Sequence, residues 1–206
     1  MKKGDTREKI LRAAFKAFHE VGYNGTSIQD IIEAAEVPKG SSYNYFKSKE
    51  QLAVEVLSLY ATTIQEAMMG SAESSPIARL RTWFEESIRL HEKWGFETGC
   101  MVGNFTAEIS NSEKGLRAFI IQDFDFWNAA ITAILTEAKE KGEIPPAANP
   151  KELASYILNS YHGAILRGKL ARNRVPYDQF LHFTFDDLLK PMKTPSPPRS
   201  RLKRRR

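Results

Sequence analysis

The 206-residue sequence has a single cysteine, Cys100. One thiol excludes an internal disulfide framework and leaves too few thiolates for a structural zinc site, so neither a metal nor a cofactor is expected. No run of eighteen or more apolar residues occurs. The start, Met1-Lys2-Lys3-Gly4-Asp5, leads into an amphipathic segment rather than an apolar leader, which reads as a cytoplasmic chain without a membrane span. A phosphate-cradling glycine loop is missing, as is any set of nucleophile, base and acid, and these gaps weigh against an enzyme. Alternating, β-branched strand patterns are also lacking, whereas apolar residues recur at helical spacing nearly throughout, which predicts an all-α fold.

Charge is unevenly placed. Residues 1–50 carry nine basic and seven acidic side chains, residues 51–190 fourteen and eighteen, and residues 191–206 seven and none, which together make the net +5. A slightly basic head and a strongly basic end around an acidic body suggest a polyanionic partner at the ends. The last sixteen residues hold four prolines and few apolar groups, a composition that cannot repay the entropy of ordering. Three units follow: a head over 1–50, a body over 51–190 and a disordered basic tail over 191–206.

Within the head, Ile10, Leu11, Ala14, Phe15 and Phe18 share one face of a helix running from Asp5 to about Val21 and ended by Gly22. A second helix opens at Thr26 or Ser27, because Thr26 with Gln29 and Ser27 with Asp30 both fit a capping box, and it stops near Ala35. Pro38 suits the first turn of a short third helix to about Tyr45. Ser48 with Gln51 starts a long helix through Met69. Further helices are expected over Arg79–Trp94, 101–110, 114–141, 150–173 and 177–190, about nine in all.

Two short helices joined by about three residues and braced by a longer one form a helix-turn-helix. The third helix is polar, an odd choice for a buried element and a sound one for a groove of DNA. Lys39 can donate to guanine, Asn44 can pair with adenine, and Gly40 lets the backbone come close. Lys39 and Tyr43, like Gly40 and Asn44, are four residues apart and share a side. Hydroxyls of Thr26, Ser41 and Tyr45 and the Lys49 ammonium suit phosphate oxygens, and Ser27 at the same helix start joins this candidate set. Packing roles for Tyr43 and Tyr45, and a merely solvated face for Lys47 and Lys49, stay open. Phe46 reads as core.

The stretch Gly22-Tyr-Asn-Gly-Thr-Ser-Ile through Val37-Pro-Lys-Gly-Ser to Tyr43-Asn-Tyr-Phe-Lys-Ser-Lys-Glu-Gln-Leu52 closely resembles the DNA-binding domain of the TetR family. The resemblance covers about the first fifty residues and departs at Ser42, where such proteins usually place an apolar residue. It implies base contacts near Lys39, Gly40, Tyr43 and Asn44, with phosphate contacts at Thr26, Tyr45 and Lys49. It also implies a homodimer on a near-palindromic operator, usually a repressor released by a small-molecule inducer. Two recognition helices would then lie about one DNA turn apart, roughly 34–36 Å.

The body would form a helical ligand-sensing and dimerisation domain. Leu153, Tyr156, Ile157, Ser160, Tyr161, Ala164, Ile165 and Gly168 make one stripe on the helix 150–173, and Phe180, Phe183, Thr184, Asp187 and Leu188 make another on 177–190. The resemblance implies a four-helix dimer interface from these two; an internal core face is the alternative. Among many aromatics, Phe84 and Trp127 are candidate pocket residues, with Asn104 and His162 as polar partners and His91 and Asn128 further options. Cys100 stands at a loop-to-helix junction, where helix amides favour the thiolate. Its surroundings, Gly99-Cys-Met-Val-Gly-Asn-Phe-Thr-Ala-Glu108, are similar to TetR-family regulators of the N-ethylmaleimide reductase repressor type, which implies sensing of electrophiles or oxidants; a small buried hydrophobe is the alternative. A rival reading of the whole chain is a non-specific nucleic-acid binder driven by Arg201–Arg206.

Overall fold

Ile10, Ala14 and Phe18 recur every fourth residue, and in α1 (Lys3–Glu20) all three are fully buried. The computed structural model describes residues 3–38, 40, 44–69 and 75–190, and no strand occurs among them. Beyond α1 the chain reads α2 (Ile28–Ala34), α3 (Lys49–Met69), α4 (Pro76–Lys93), α5 (Met101–Glu108), α6 (Lys114–Glu140), α7 (Pro150–Ala171) and α8 (Val175–Leu181). From α8 the backbone runs directly into a π-helical segment, His182–Leu188. Of the short helix expected over 38–45, residues 39 and 41–43 lie outside the described residues, as does the whole of the expected disordered tail, 191–206.

Local chemistry sets the ends of these helices. After α1, Gly22 adopts φ +92°, and a Cβ there would come within 2.3 Å of Glu108 Oε1, so both conformation and crowding demand glycine. α3 begins where Ser48 Oγ accepts from Gln51 N at 3.1 Å, with Gln51 Oε1 returning to Lys47 N at 2.9 Å. α4 starts at Pro76, three residues ahead of the sequence expectation. Ser75 caps it by accepting from Ala78 N, and Glu143 fixes that cap by accepting from Ser75 Oγ at 2.8 Å and Ile77 N at 3.1 Å. No local pattern reports so distant a partner.

Two cores result. One gathers Ile10, Phe18, Ile31, Phe46, Leu52 and Leu57 of the head with Met101, Val102 and Phe105 of α5 and Leu116 and Ile120 of α6. The other packs Leu80, Phe84 and Ile88 of α4 against α6, α7 and α8, with Phe84 edge-on to Tyr161 and Phe180 at 4.8 and 4.9 Å. α3 and α6 contribute to both. By length and composition α6 could cross a membrane, but its apolar Leu116, Ile120, Ile131, Ile134 and Leu135 are buried inside these cores. The α6 N-terminus is held by Glu50 of α3, whose Oε1 accepts from Gly115 N at 2.7 Å and Leu116 N at 3.0 Å.

Candidate functional site

At the head, the capping alternative resolves to Ser27. Its hydroxyl accepts from Asp30 N at 3.1 Å while the Asp30 carboxylate accepts from Ser27 N at 2.8 Å. Thr26 corrects the sequence reading. It is 3% exposed, and its hydroxyl points inward, donating to the Gly22 carbonyl at 2.8 Å, with the Ala17 carbonyl at 3.4 Å. That hydroxyl fastens the turn between α1 and α2 and is not turned toward a phosphate. The other described candidates lie at the surface: Ser27, Gly40 and Asn44 are exposed, and Tyr45 and Lys49 are half-buried. A Cβ at Gly40 would meet nothing within 4 Å, so no packing among the described residues requires glycine there. The Lys49 ammonium sits 4.2 Å above the Tyr23 ring, and partial burial lowers its pKa against the pull of Glu108 and Glu113. Lys39, Ser41, Ser42 and Tyr43 lie outside the described residues.

In the body, a cavity of about 60 Å³ opens between α3, α4, α6, α7 and the head of α5. Four of the five sequence candidates, Phe84, Cys100, Trp127 and His162, line it. The fifth, Asn104, does not. Its amide donates to the Thr98 carbonyl at 2.8 Å and its oxygen accepts from Lys169 Nζ at 3.3 Å, so it braces the loop ahead of α5. Sequence reasoning missed Tyr60, Tyr161 and Asp123 as wall residues. Asp123 carried a readable signal, a carboxylate set between Ile120 and Trp127 on the inward stripe of α6.

Burial governs the electrostatics. His91 and His162 are pushed down to about 4 by desolvation, so both imidazoles are neutral at physiological pH. Asp123 is pushed up to about 6 by burial alone. Cys100 forms the N-cap position of α5, yet burial raises its thiol, and the opposing amides of Gly103 and Val102 and the Tyr60 hydroxyl do not outweigh it. The expected thiolate is therefore corrected: helix amides do face the sulfur, but the dry surroundings cost the anion more than they return. Trp83 Nε1 and His91 Nδ1 also belong to wall residues, are buried, and have no hydrogen-bond partner.

The two sequence stripes separate by face. On α7, Ile157, Tyr161, Ala164, Ile165 and Gly168 turn into the chain's own core, the alternative left open for that stripe. The outer face carries Tyr156, Gly163, Leu166 and Leu170, with the two leucines 66% and 81% exposed. On α8 and the π segment, Phe180 and Thr184 are buried, while Phe183 is 61% exposed beside Leu188. Gly168 is where α7 and α8 touch most closely, since a Cβ there would fall 2.1 Å from Tyr177 Cε2.

Known proteins match this arrangement along its length. Residues 10–56 match the family model for "Bacterial regulatory proteins, tetR family", and residues 76–184 match that for "Tetracyclin repressor-like, C-terminal domain". The chain is 35% identical over 192 residues to the HTH-type transcriptional repressor DhaR of Mycobacterium sp. (strain GP1), covering 92% of this chain and 95% of that one. The chain belongs to the TetR family. Its TetR-family relatives include the repressor NemR of Escherichia coli (strain K12), 25% identical over 86% of this chain and 90% of that one. The structure of reduced E. coli NemR superposes with a TM-score of 0.77 at 25% identity, covering 88% of this chain and 96% of that one. A regulatory protein TetR from Rhodobacter sphaeroides superposes with a TM-score of 0.80 at 29% identity over 88% and 97%. The TetR-type helix-turn-helix head and helical second domain are thus both present, in a class of transcriptional regulators.

Within this TetR-family chain, α5 joins cavity to head. Cys100 precedes α5 in the cavity wall; Met101, Val102 and Phe105 lie in the head's core; and Glu108 at the far end grips the α1–α2 turn. The Glu108 carboxylate accepts from Asn24 N at 2.7 Å, and its carbonyl accepts from Asn24 Nδ2 at 2.7 Å. His19 of α1 reinforces the joint from the other side, packed edge-on against Trp94 at 4.8 Å and hydrogen-bonded to the Gly99 backbone.

Proposed function

We propose that this protein is a ligand-responsive repressor that binds a near-palindromic operator as a homodimer in the cytoplasm and is released by a small-molecule inducer filling the cavity. The observation that carries this reading is the path from cavity to head through α5. A molecule that displaces the wall at Cys100 acts on a helix whose other end holds Asn24 in the helix-turn-helix. Repression is the reading supported by the relatives DhaR and NemR, both transcriptional repressors. Release requires the inducer to bind the DNA-incompetent state more tightly than the competent one.

DNA reading is assigned to Lys39, Gly40, Tyr43 and Asn44 for bases and to Ser27, Ser41, Tyr45 and Lys49 for phosphates; Thr26 positions the turn that carries them. Dimerisation is assigned to the outer face of α7 with α8 and its π extension, where Tyr156, Leu166, Leu170 and Phe183 expose apolar area that a lone chain leaves wet. The test is selection of DNA fragments by the purified full chain, with sedimentation to count subunits. A two-fold symmetric site bound by two chains, whose half-sites lie about one helical turn apart, is expected. A single chain without base preference overturns the reading.

A second trigger is assigned to Cys100, because the thiol lies in the cavity wall rather than behind it. Since burial keeps it protonated, only a reagent small enough to enter reaches it. Stoichiometric alkylation or mild oxidation should release the operator in the parent and not in Cys100→Ser; equal release in both removes the cysteine from the mechanism.

A further inference from the structure

The cavity wall holds one carboxylate and no permanent cation. Asp123 is its only acidic wall residue, and neither lysine nor arginine lines it. Among the described residues Asp123 is half-buried and has no hydrogen-bond or ion-pair partner, so no positive charge in the wall compensates its carboxylate. Aromatic side chains from three helices, Tyr60, Trp83, Phe84 and Trp127, line the same cavity. An uncompensated carboxylate within an aromatic box is the chemistry that receives an organic cation, since the carboxylate supplies the counter-charge and the ring faces attract the ammonium group. An anion would meet like charge with no compensating donor of positive charge.

Two further features restrict the ligand. The buried indole N–H of Trp83 lacks an acceptor, and a molecule bearing an oxygen could supply one. A cavity of about 60 Å³ is less than half the volume that admits benzene, which favours a compact occupant. We infer that the cavity binds a compact primary ammonium ion that carries a hydroxyl or carbonyl oxygen, its charge on Asp123 and its oxygen toward Trp83. This rests on the reading of the cavity as the inducer site and names the inducer's class.

The other titratable groups of the cavity wall allow a clean test. They are Tyr60 of α3, His91 of α4, Cys100 before α5, and Tyr161 and His162 of α7. Between pH 5 and 7.5 the two histidines stay neutral and burial keeps the two phenols and the thiol protonated, so Asp123 alone changes charge across this window.

The experiment uses four probes of similar size: 2-aminoethanol, propylamine, ethylene glycol and glycolate, at fixed ionic strength. Binding to the full chain is read by tryptophan fluorescence, and displacement is read on the selected operator. The expected order places 2-aminoethanol first, propylamine second, and the neutral and anionic probes weaker than 2-aminoethanol by about tenfold or more. Affinity for 2-aminoethanol should rise about tenfold between pH 5 and 7.5. Asp123→Asn should level both the preference and the pH dependence, whereas Asp125→Asn, an exposed change on the same helix, should do neither. Equal or tighter binding of glycol or glycolate, or an unchanged preference in a folded Asp123→Asn protein, overturns the assignment. So does binding of none of the four. In each case retained operator selection leaves the regulator reading standing, and loss of selection by the parent protein would fall on that reading instead.

Discussion

Gly168→Ala adds one methyl group where α7 meets α8, and the structure gives both the sign and the size of its effect. The new Cβ would lie 2.1, 2.8 and 3.0 Å from Cε2, Cζ and Cδ2 of Tyr177. That ring is wholly buried and backed by His91 at 5.7 Å and Phe96 at 5.3 Å, so it has nowhere to swing. Overpacking of this kind costs about 1–3 kcal/mol. A Cβ only 2.1 Å from the ring puts the overpacking at the upper end of that range, and since alanine recovers about 0.5–1 kcal/mol over glycine in a helix, the net loss is about 2 kcal/mol. Gly163→Ala is the control, because a Cβ there meets nothing within 4 Å; the same helical gain then stands alone in the protomer. Urea unfolding at several protein concentrations separates protomer from dimer contributions. In the protomer term Gly168→Ala should fall and Gly163→Ala should rise. If Gly163 faces a second subunit, its alanine variant should also show a weakened concentration-dependent term. A Gly168→Ala protein as stable as the parent would refute the close packing of α7 on Tyr177.

Glu50→Ala removes the acceptor for two free amides at the start of α6 and should lower stability by about 1 kcal/mol by urea unfolding, with Glu50→Gln intermediate. Because burial depresses His91 and His162 to about 4, their stabilising contribution is present above about 6.5 and is lost as pH falls toward 4. His162→Phe should therefore flatten the loss of stability between pH 7 and 4.5 by about 2 kcal/mol, partly masked because Asp123 gains its proton over the same range. Deleting residues 191–206, with seven basic side chains, should lower affinity and the salt slope alike on operator and random DNA while leaving their ratio unchanged; a ratio that collapses moves specificity to the tail.

How much was legible in advance follows the range of each interaction. Helix starts set by neighbours in sequence, Ser27 with Asp30 and Ser48 with Gln51, were readable because their partners lie three residues away. Phe46 was readable as core because it is a large apolar side chain closing a polar stretch, and it is buried. Whatever depended on a distant partner was not. Glu143 moved the start of α4, the Gly22 carbonyl took the Thr26 hydroxyl, and Lys169 and Thr98 claimed Asn104. Periodicity also cannot tell which side of a two-sided apolar helix meets its own chain, and for that reason one stripe on α7 became two faces.

The thiol expected to be acidic is the most informative departure. A helix terminus offers a fixed, short-range stabilisation to an anion, about 0.3–1 kcal/mol in exposed settings. Loss of water costs several times that when no cation stands nearby. The same balance acts on Asp123, which no terminus helps and which burial also raises. Both groups share the cavity, so each is held in its neutral or costly form by the dryness of the space between them. Whatever enters and supplies positive charge relieves Asp123, and whatever admits water lowers the thiol. Occupancy by a small cation and reactivity of Cys100 are therefore coupled through one volume, and an ammonium ligand that fills it should slow alkylation of Cys100 in proportion to its occupancy. A bound ligand that left that rate untouched would mean that the carboxyl and the thiol do not share one space.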